Sequence, residues 1–252
     1  MAALAAVAVL PLAGMPAVSQ ASEQASSPRP RDRKPDLSGI WQVVNSAHWD
    51  LQAHPGRLFP GLPPRFGVSA GQSVVEGNEI PYQPWALKKK QENYANRQTA
   101  DPEASCFLPG VPRITYMPYP FQIFQTPKQI TIAYEFVHAE RNIYLDSPHP
   151  KGPLEFWMGD SRGRWEGETL VVDVVYFNDR TWFDRAGNFH SEELHVVERY
   201  SLVDRDHINY EVTIEDPKVF TRPWKISMPL YRRVEPKVQL LEFECHAYAD
   251  EG

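Results

Sequence analysis

Proline is the residue that most restricts what this chain can become. Twenty-four of its 252 residues are Pro, about twice the usual ~5%. Each Pro lacks a backbone N–H and holds φ at about −65°, so it ends or kinks a helix and fits a sheet only at edges and strand starts. In the stretch 101–127 they recur at Pro102, Pro109, Pro112, Pro118, Pro120 and Pro127. Long helices are therefore expected to be scarce, and much of the chain must be strand and ordered loop. A stretch of that length without a period of its own is expected to be functional or to pack as a lid.

Where proline thins out, apolar and polar residues alternate. Ile208, Tyr210, Val212 and Ile214 are separated by Asn209, Glu211 and Thr213, the pattern of an antiparallel strand buried on one face. Residues 170–175 are apolar on both faces except at Asp173, which predicts deeper cover. Strands are also expected over 37–44, 121–125, 129–135, 140–145, 162–165, 194–203, 224–233 and 240–246. Turn signals stand at Thr126-Pro127-Lys128, at Glu166-Gly167 and over 204–207. One helix is predicted over 84–98, with Pro84 near its start. Trp85, Leu87 and Tyr94 would supply its apolar contacts, and Lys88-Lys89-Lys90 would face solvent. About nine or ten short strands with one helix predict an all-β fold. The architecture expected is an antiparallel, lipocalin-like β-barrel with long Pro-rich loops, because closure removes exposed strand edges.

The N-terminal residues read differently. Residues 2–18 are small and apolar, broken by Pro11, Gly14 and Pro16, and lead into Ser19-Gln20-Ala21. This is the hydrophobic and cleavage pattern of a secretory signal over 1–21, too short and too broken for a membrane span. No Lys or Arg precedes it, its one departure from the pattern. Residues 22–35 read as a polar, Pro-rich tether, and 36–252 as a single domain. The expected location is periplasmic or secreted. In an oxidising compartment Cys106 and Cys245 can pair; two separate thiols, one in the core, is the alternative the sequence leaves open. Neither lies in an activated-nucleophile or zinc-site context. A net charge of −6 counts against nucleic acid as a partner.

Two resemblances follow from quoted residues. Gly39-Ile40-Trp41 resembles the G-x-W opening of lipocalins, which implies a barrel whose Trp packs across one end. A broader resemblance runs through most of 35–246. It is carried by Pro109-Gly110-Val111-Pro112-Arg113, by Gly163-Arg164-Trp165-Glu166-Gly167 with Leu170-Val171-Val172-Asp173, and by Phe183-Asp184 through His190-Ser191 to His195. These segments are similar to an uncharacterised family of exported bacterial β-rich proteins. That likeness implies secretion and a β-rich fold, and no catalytic residue.

Candidate chemistry concentrates in 178–195. The segment offers Arg180, Trp182, Asp184, Arg185, His190 and His195 between two predicted strands, where polar groups at a barrel mouth can converge on a ligand. His190 with Asp184 is the preferred acid–base pair, and Arg180 or Arg185 would stabilise an oxyanion. The competing reading is an ordered loop whose polar groups satisfy one another. His195 starts a strand, pointing either inward beside Val197 and Arg199 or out to water. A metal on His190 and His195 is disfavoured, because their spacing into a strand puts the rings on opposite faces. Tyr119, Phe121, Trp157 and His149 are candidates for substrate contact, His149 being pinned between Pro148 and Pro150. Glu135, Asp173 and Glu211 are charges on otherwise apolar strands, worth attention if buried. Gly159-Asp160-Ser161-Arg162-Gly163 matches G-x-S-x-G, but a strand rather than a helix follows, so a serine nucleophile is not expected.

The function expected is a cofactor-independent lyase, dehydratase or isomerase. It would act by His/Asp proton transfer on a small apolar molecule of aromatic or terpenoid type. The alternatives are a lipocalin-like binding protein for the same ligand, and an interaction module whose barrel is filled.

Overall fold

The computed structural model describes residues 34–58, 67–243 and 245; the expected signal segment and residues 22–33 of the tether lie outside them. Nine strands close into a barrel in sequence order. They are β1 (Gly39–Gln42), β2 (Phe121–Gln125), β3 (Gln129–Tyr134), β4 (Glu140–Leu145), β5 (Asp160–Glu166), β6 (Thr169–Val175), β7 (His195–Asp204), β8 (His207–Glu215) and β9 (Trp224–Arg232). Strand directions around a closed ring can alternate throughout only when the strand number is even. With nine, one neighbouring pair has to run parallel, and here it is β4 with β5, Ile143 opposite Ser161 and Leu145 opposite Gly163. The antiparallel expectation holds for the other neighbours. A parallel pair cannot be joined by a tight turn and needs a connection of a dozen or more residues. Residues 146–159 are that connection.

Alternation fills the lumen. Phe121 and Ile123 from β2, Ile130 and Ile132 from β3, Val172 and Val174 from β6, and Ile208 to Ile214 from β8 are buried at every second position. A polar network sits among them. Arg141 of β4 donates to Glu198 of β7, and its Nε donates to Ser161 Oγ at 3.0 Å. The hydroxyls of Tyr200 and Tyr210 donate to Glu198 Oε1 at 3.0 and 2.7 Å. A buried pair of this kind is tolerated because its remaining bonds are made.

The Pro-rich stretch packs as a plug. Asp101, Glu103 and residues 109–117 are buried. Arg113 is 1% exposed, held by Asp101 at 2.8 Å from two nitrogens and by Glu103 at 3.3 Å. The Tyr116 hydroxyl donates to the Phe183 carbonyl at 2.8 Å, fastening this plug to the 176–194 loop.

Three expectations need correcting. The helix is shorter than 84–98: α1 covers Pro84–Ala95, and a separate turn, α2, covers Arg97–Ala100. Trp85 and Leu87 are 55% and 46% exposed, and the face that docks is Ala86 with Asn93. The stretch 240–246 does not form a tenth strand where it is described. β9 pairs with β1 and closes the ring, leaving no edge to extend. Phe243 instead forms one isolated bridge to Phe136, and Cys245 is disulfide-bonded to Cys106. Among the described residues no helix is long and apolar enough to cross a membrane.

Candidate functional site

The 146–159 connection, required by the odd strand number, places His149 against the outer faces of β5 and β6. Its Nδ1 lies 2.6 Å from Asp160 Oδ2 and its Nε2 lies 2.9 Å from Asp173 Oδ1. The other oxygen of Asp173 meets His195 Nε2 at 3.1 Å, so one carboxylate bridges two imidazoles. Arg162, opposite Asp173 in the sheet register, clamps Asp160 through Nε at 2.7 Å and Nη2 at 2.8 Å. Period-2 geometry explains the gathering. Asp160, Arg162, Asp173 and His195 occupy outward positions on three adjacent strands, while Ser161, Val172, Val174 and Val196 between them point inward and are buried.

β6 is followed by Tyr176, a non-glycine residue at φ +65°, an uncommon conformation for a bulky side chain. The reversal sets its ring edge-on to His149, with centroids 5.9 Å apart. Its hydroxyl donates to the Pro150 carbonyl at 3.1 Å. Phe156 then pairs alongside, its N–H reaching the Tyr176 carbonyl at 2.8 Å. Between this return and the start of β7 lies a cleft of about 480 Å³. Pro153, Leu154, Val175 and Phe177 give it apolar walls, and His195 and Tyr176 also line it. Glu155, Glu192 and Glu193 line it as well, and the last two share the Lys218 ammonium, Glu193 at 3.0 Å.

The electrostatics favour a charged His195. Its hydrogen bond to Asp173 raises its pKa above 6.5, overcoming partial burial, with Glu215 Oε2 adding attraction 3.5 Å from Nδ1. The same bond holds Asp173 below the usual carboxylate value against partial burial, helped by His149. Burial pushes Asp160 up, but the bonds from Arg162 and His149 outweigh it and leave the carboxyl lowered. His195 is thus oriented at Nε2 by Asp173 and approached at Nδ1 by Glu215, and it is partly exposed where it lines the cleft.

The sequence-predicted site residues are dispersed. His195 and His149 come together through Asp173. His190 and Asp184 do not pair. His190 is 2% exposed, its Nε2 2.7 Å from Thr181 Oγ1 and its Nδ1 2.8 Å from the Ser191 carbonyl; burial lowers its pKa. Asp184 is fully buried and accepts from the N–H groups of Leu51, Ala186 and Asn188 and from Asn188 Nδ2 at 2.6 Å. The competing reading, an ordered loop that satisfies itself, describes both residues. Arg185 is bound to Glu103 at 2.8 Å through two nitrogens and lies over Trp49. Arg180 is exposed, 5.9 Å from the Trp157 ring centroid, and Trp157 stacks on Phe107 at 5.0 Å. Trp182 is buried and bridges to Phe189; Phe121 packs on Tyr134 in the lumen; Tyr119 packs on Phe136 and Phe243. Ser161 of the G-x-S-x-G segment is buried on Arg141, not exposed at an elbow.

Asp160, Arg162, Tyr176 and Glu215 were not singled out from the sequence as site residues. The available signal was Asp173, the one charge in an apolar run, whose outward neighbours follow only once the strand register is known. Among the described residues, no group of three or more His, Cys, Asp and Glu side chains is arranged to hold a metal ion. No protein-family model, no curated protein and no solved structure matches the chain.

Proposed function

We propose that this protein is an exported acid–base enzyme of the dehydratase type, acting on a small, largely apolar molecule in the cleft beside β6 and β7. One observation carries the reading: His195 lines that cleft while Asp173, itself anchored by His149, orients its ring. The protonated ring donates a proton to a substrate hydroxyl. The C–O bond breaks and its electron pair leaves with water. The neutral imidazole then takes a proton from the adjacent carbon, whose C–H electrons form the C=C bond, and the imidazolium is restored. The apolar walls suit an aromatic or terpenoid body. The Cys106–Cys245 disulfide and the sequence resemblance to exported β-rich proteins support an oxidising, extracytoplasmic location.

The test is conversion of a mixed panel of aromatic and terpenoid alcohols, with products identified by mass spectrometry. His195→Gln should lower kcat by about 10²–10⁴, the usual contribution of a positioned acid–base group, with an unchanged far-UV spectrum. Because Asp173 raises the pKa of His195 above the usual 6.5, the acid form persists to higher pH than in a free imidazole. Wild-type turnover should fall as pH rises through the folded pKa, and the variant should lack this limb. Ligand retained in the cleft and returned unaltered across the panel would make this a binding protein.

A further inference from the structure

A second cavity, sharing no residue with the cleft, lies between the 49–57 segment, helix α1 and Arg185. It measures about 50 Å³, room for a few groups the size of a water molecule, each needing about 10–15 Å³ on that measure. Its walls include two aromatic rings, Trp49 and Tyr94, each carrying cations. Arg97 lies 4.3 Å and Arg57 5.3 Å from the Tyr94 centroid, with Lys90 at 5.9 Å; Arg185 lies 4.4 Å from Trp49.

This crowding is what needs an explanation. Arg57 and Arg97 flank one ring, closer together than the roughly 10 Å over which salt screens charge. Their hydrogen bonds go to neutral groups: Arg57 to the Tyr94 hydroxyl, Arg97 Nη1 to the Tyr94 carbonyl at 2.7 Å. Among the described residues no carboxylate forms an ion pair with Arg57, Lys90 or Arg97. Two carboxylates are close: Glu103, which also holds Arg113, and Asp50, which lines the cavity and accepts the Gln52 N–H at 3.0 Å. Four cations therefore face two carboxylates, one of them committed to a buried arginine. Arg185 spends Nε and Nη2 on Glu103, whereas Arg57 and Arg97 each spend one nitrogen on Tyr94, so among the described residues it is their other N–H groups that can meet an acceptor.

We propose that this collar is a binding site for a small oxyanion, a free carboxylate or phosphate group, received by the Arg57 and Arg97 guanidinium edges with Arg185 on the opposite wall. The fork of a guanidinium matches either anion in two parallel N–H···O bonds. The cavity volume limits the part enclosed to the anionic group itself. Asp50 restricts the site to one such group, because a second would meet its carboxylate.

The experiment is calorimetric titration of the purified protein with sodium acetate and, separately, sodium phosphate, at constant ionic strength set by sodium chloride. Saturable binding of either anion is expected, and the two arms identify which is preferred. Arg57→Gln and Arg97→Gln should each weaken it by about tenfold or more, the loss expected for a charge-assisted bond. His195→Gln should bind the anion as the wild type does, which separates this site from the catalytic cleft. Arg97→Lys, which keeps the charge and loses the fork, should lie between wild type and Gln. No saturable heat with either anion, or binding unmoved in the Arg57→Gln, Arg97→Gln double variant with an unchanged far-UV spectrum, would overturn the proposal.

Discussion

At the residue scale, the two histidine environments show how burial separates structure from chemistry. His190 and Asp184 have the residue types of an acid–base pair, but each is enclosed with its bonds committed, His190 within the loop and Asp184 to the loop and to the Leu51 N–H. Burial, with Asp50 nearby, pushes Asp184 up to about 7, against the opposing bonds from Asn188 and Leu51 and the pull of Arg113. Its folded state therefore holds a proton that the unfolded chain releases at 3.8. This group alone subtracts stability as pH climbs from 3.8 to about 7. Asp184→Asn should remove that slope, visible as a flatter urea midpoint across the window. It should also cost roughly 2–3 kcal/mol near neutrality, because an amide N–H₂ would face N–H donors. A catalytic role for Asp184 predicts the opposite balance, full stability with lost turnover. His195 differs because its ring is half in solvent while its carboxylate partner is fixed, so its proton is exchangeable.

At the element scale, the start of β5 is the joint on which the cleft depends. Gly159 sits at φ +66°, and a Cβ there would come within 2.6 Å of Val174 and 2.9 Å of Phe177. Only glycine lets the chain leave the 146–159 connection and enter the sheet with Asp160 already facing His149. Gly159→Ala should cost about 2–4 kcal/mol from backbone strain and overpacking together. In the fraction that folds, turnover should fall further than the loss of folded protein accounts for, read by activity per folded molecule from parallel denaturation curves. The strand elements themselves were legible, since period-2 alternation in β8 and β9 is local. The parallel β4–β5 pair was not, because nothing within either strand distinguishes a parallel neighbour from an antiparallel one.

At the scale of the whole molecule, closure decides what is left over. Once β1 meets β9, the C-terminal stretch has no strand to join, and Phe243 packs on Tyr119 and Phe136 while Cys245 is tied to Cys106 across 139 residues. Cross-linking so long a loop lowers unfolded-chain entropy, worth about 5 kcal/mol in that account. Reduction with a thiol should lower the urea midpoint by a corresponding amount, and Cys106→Ser with Cys245→Ser should reproduce the reduced protein; equal midpoints with and without thiol would show the bond adds nothing. The sequence by itself determined the all-β class, the shortness of the helices and the residue types available for acid–base work, because proline content and alternation act through local backbone geometry. Tertiary structure alone decided that His190 and Asp184 of the 178–195 loop are buried apart from each other, that the lumen is filled by side chains and a buried Arg141–Glu198 pair, and that His149 and His195 share Asp173. Those contacts join residues distant in sequence, and they follow from strand register and ring closure, which no local pattern encodes.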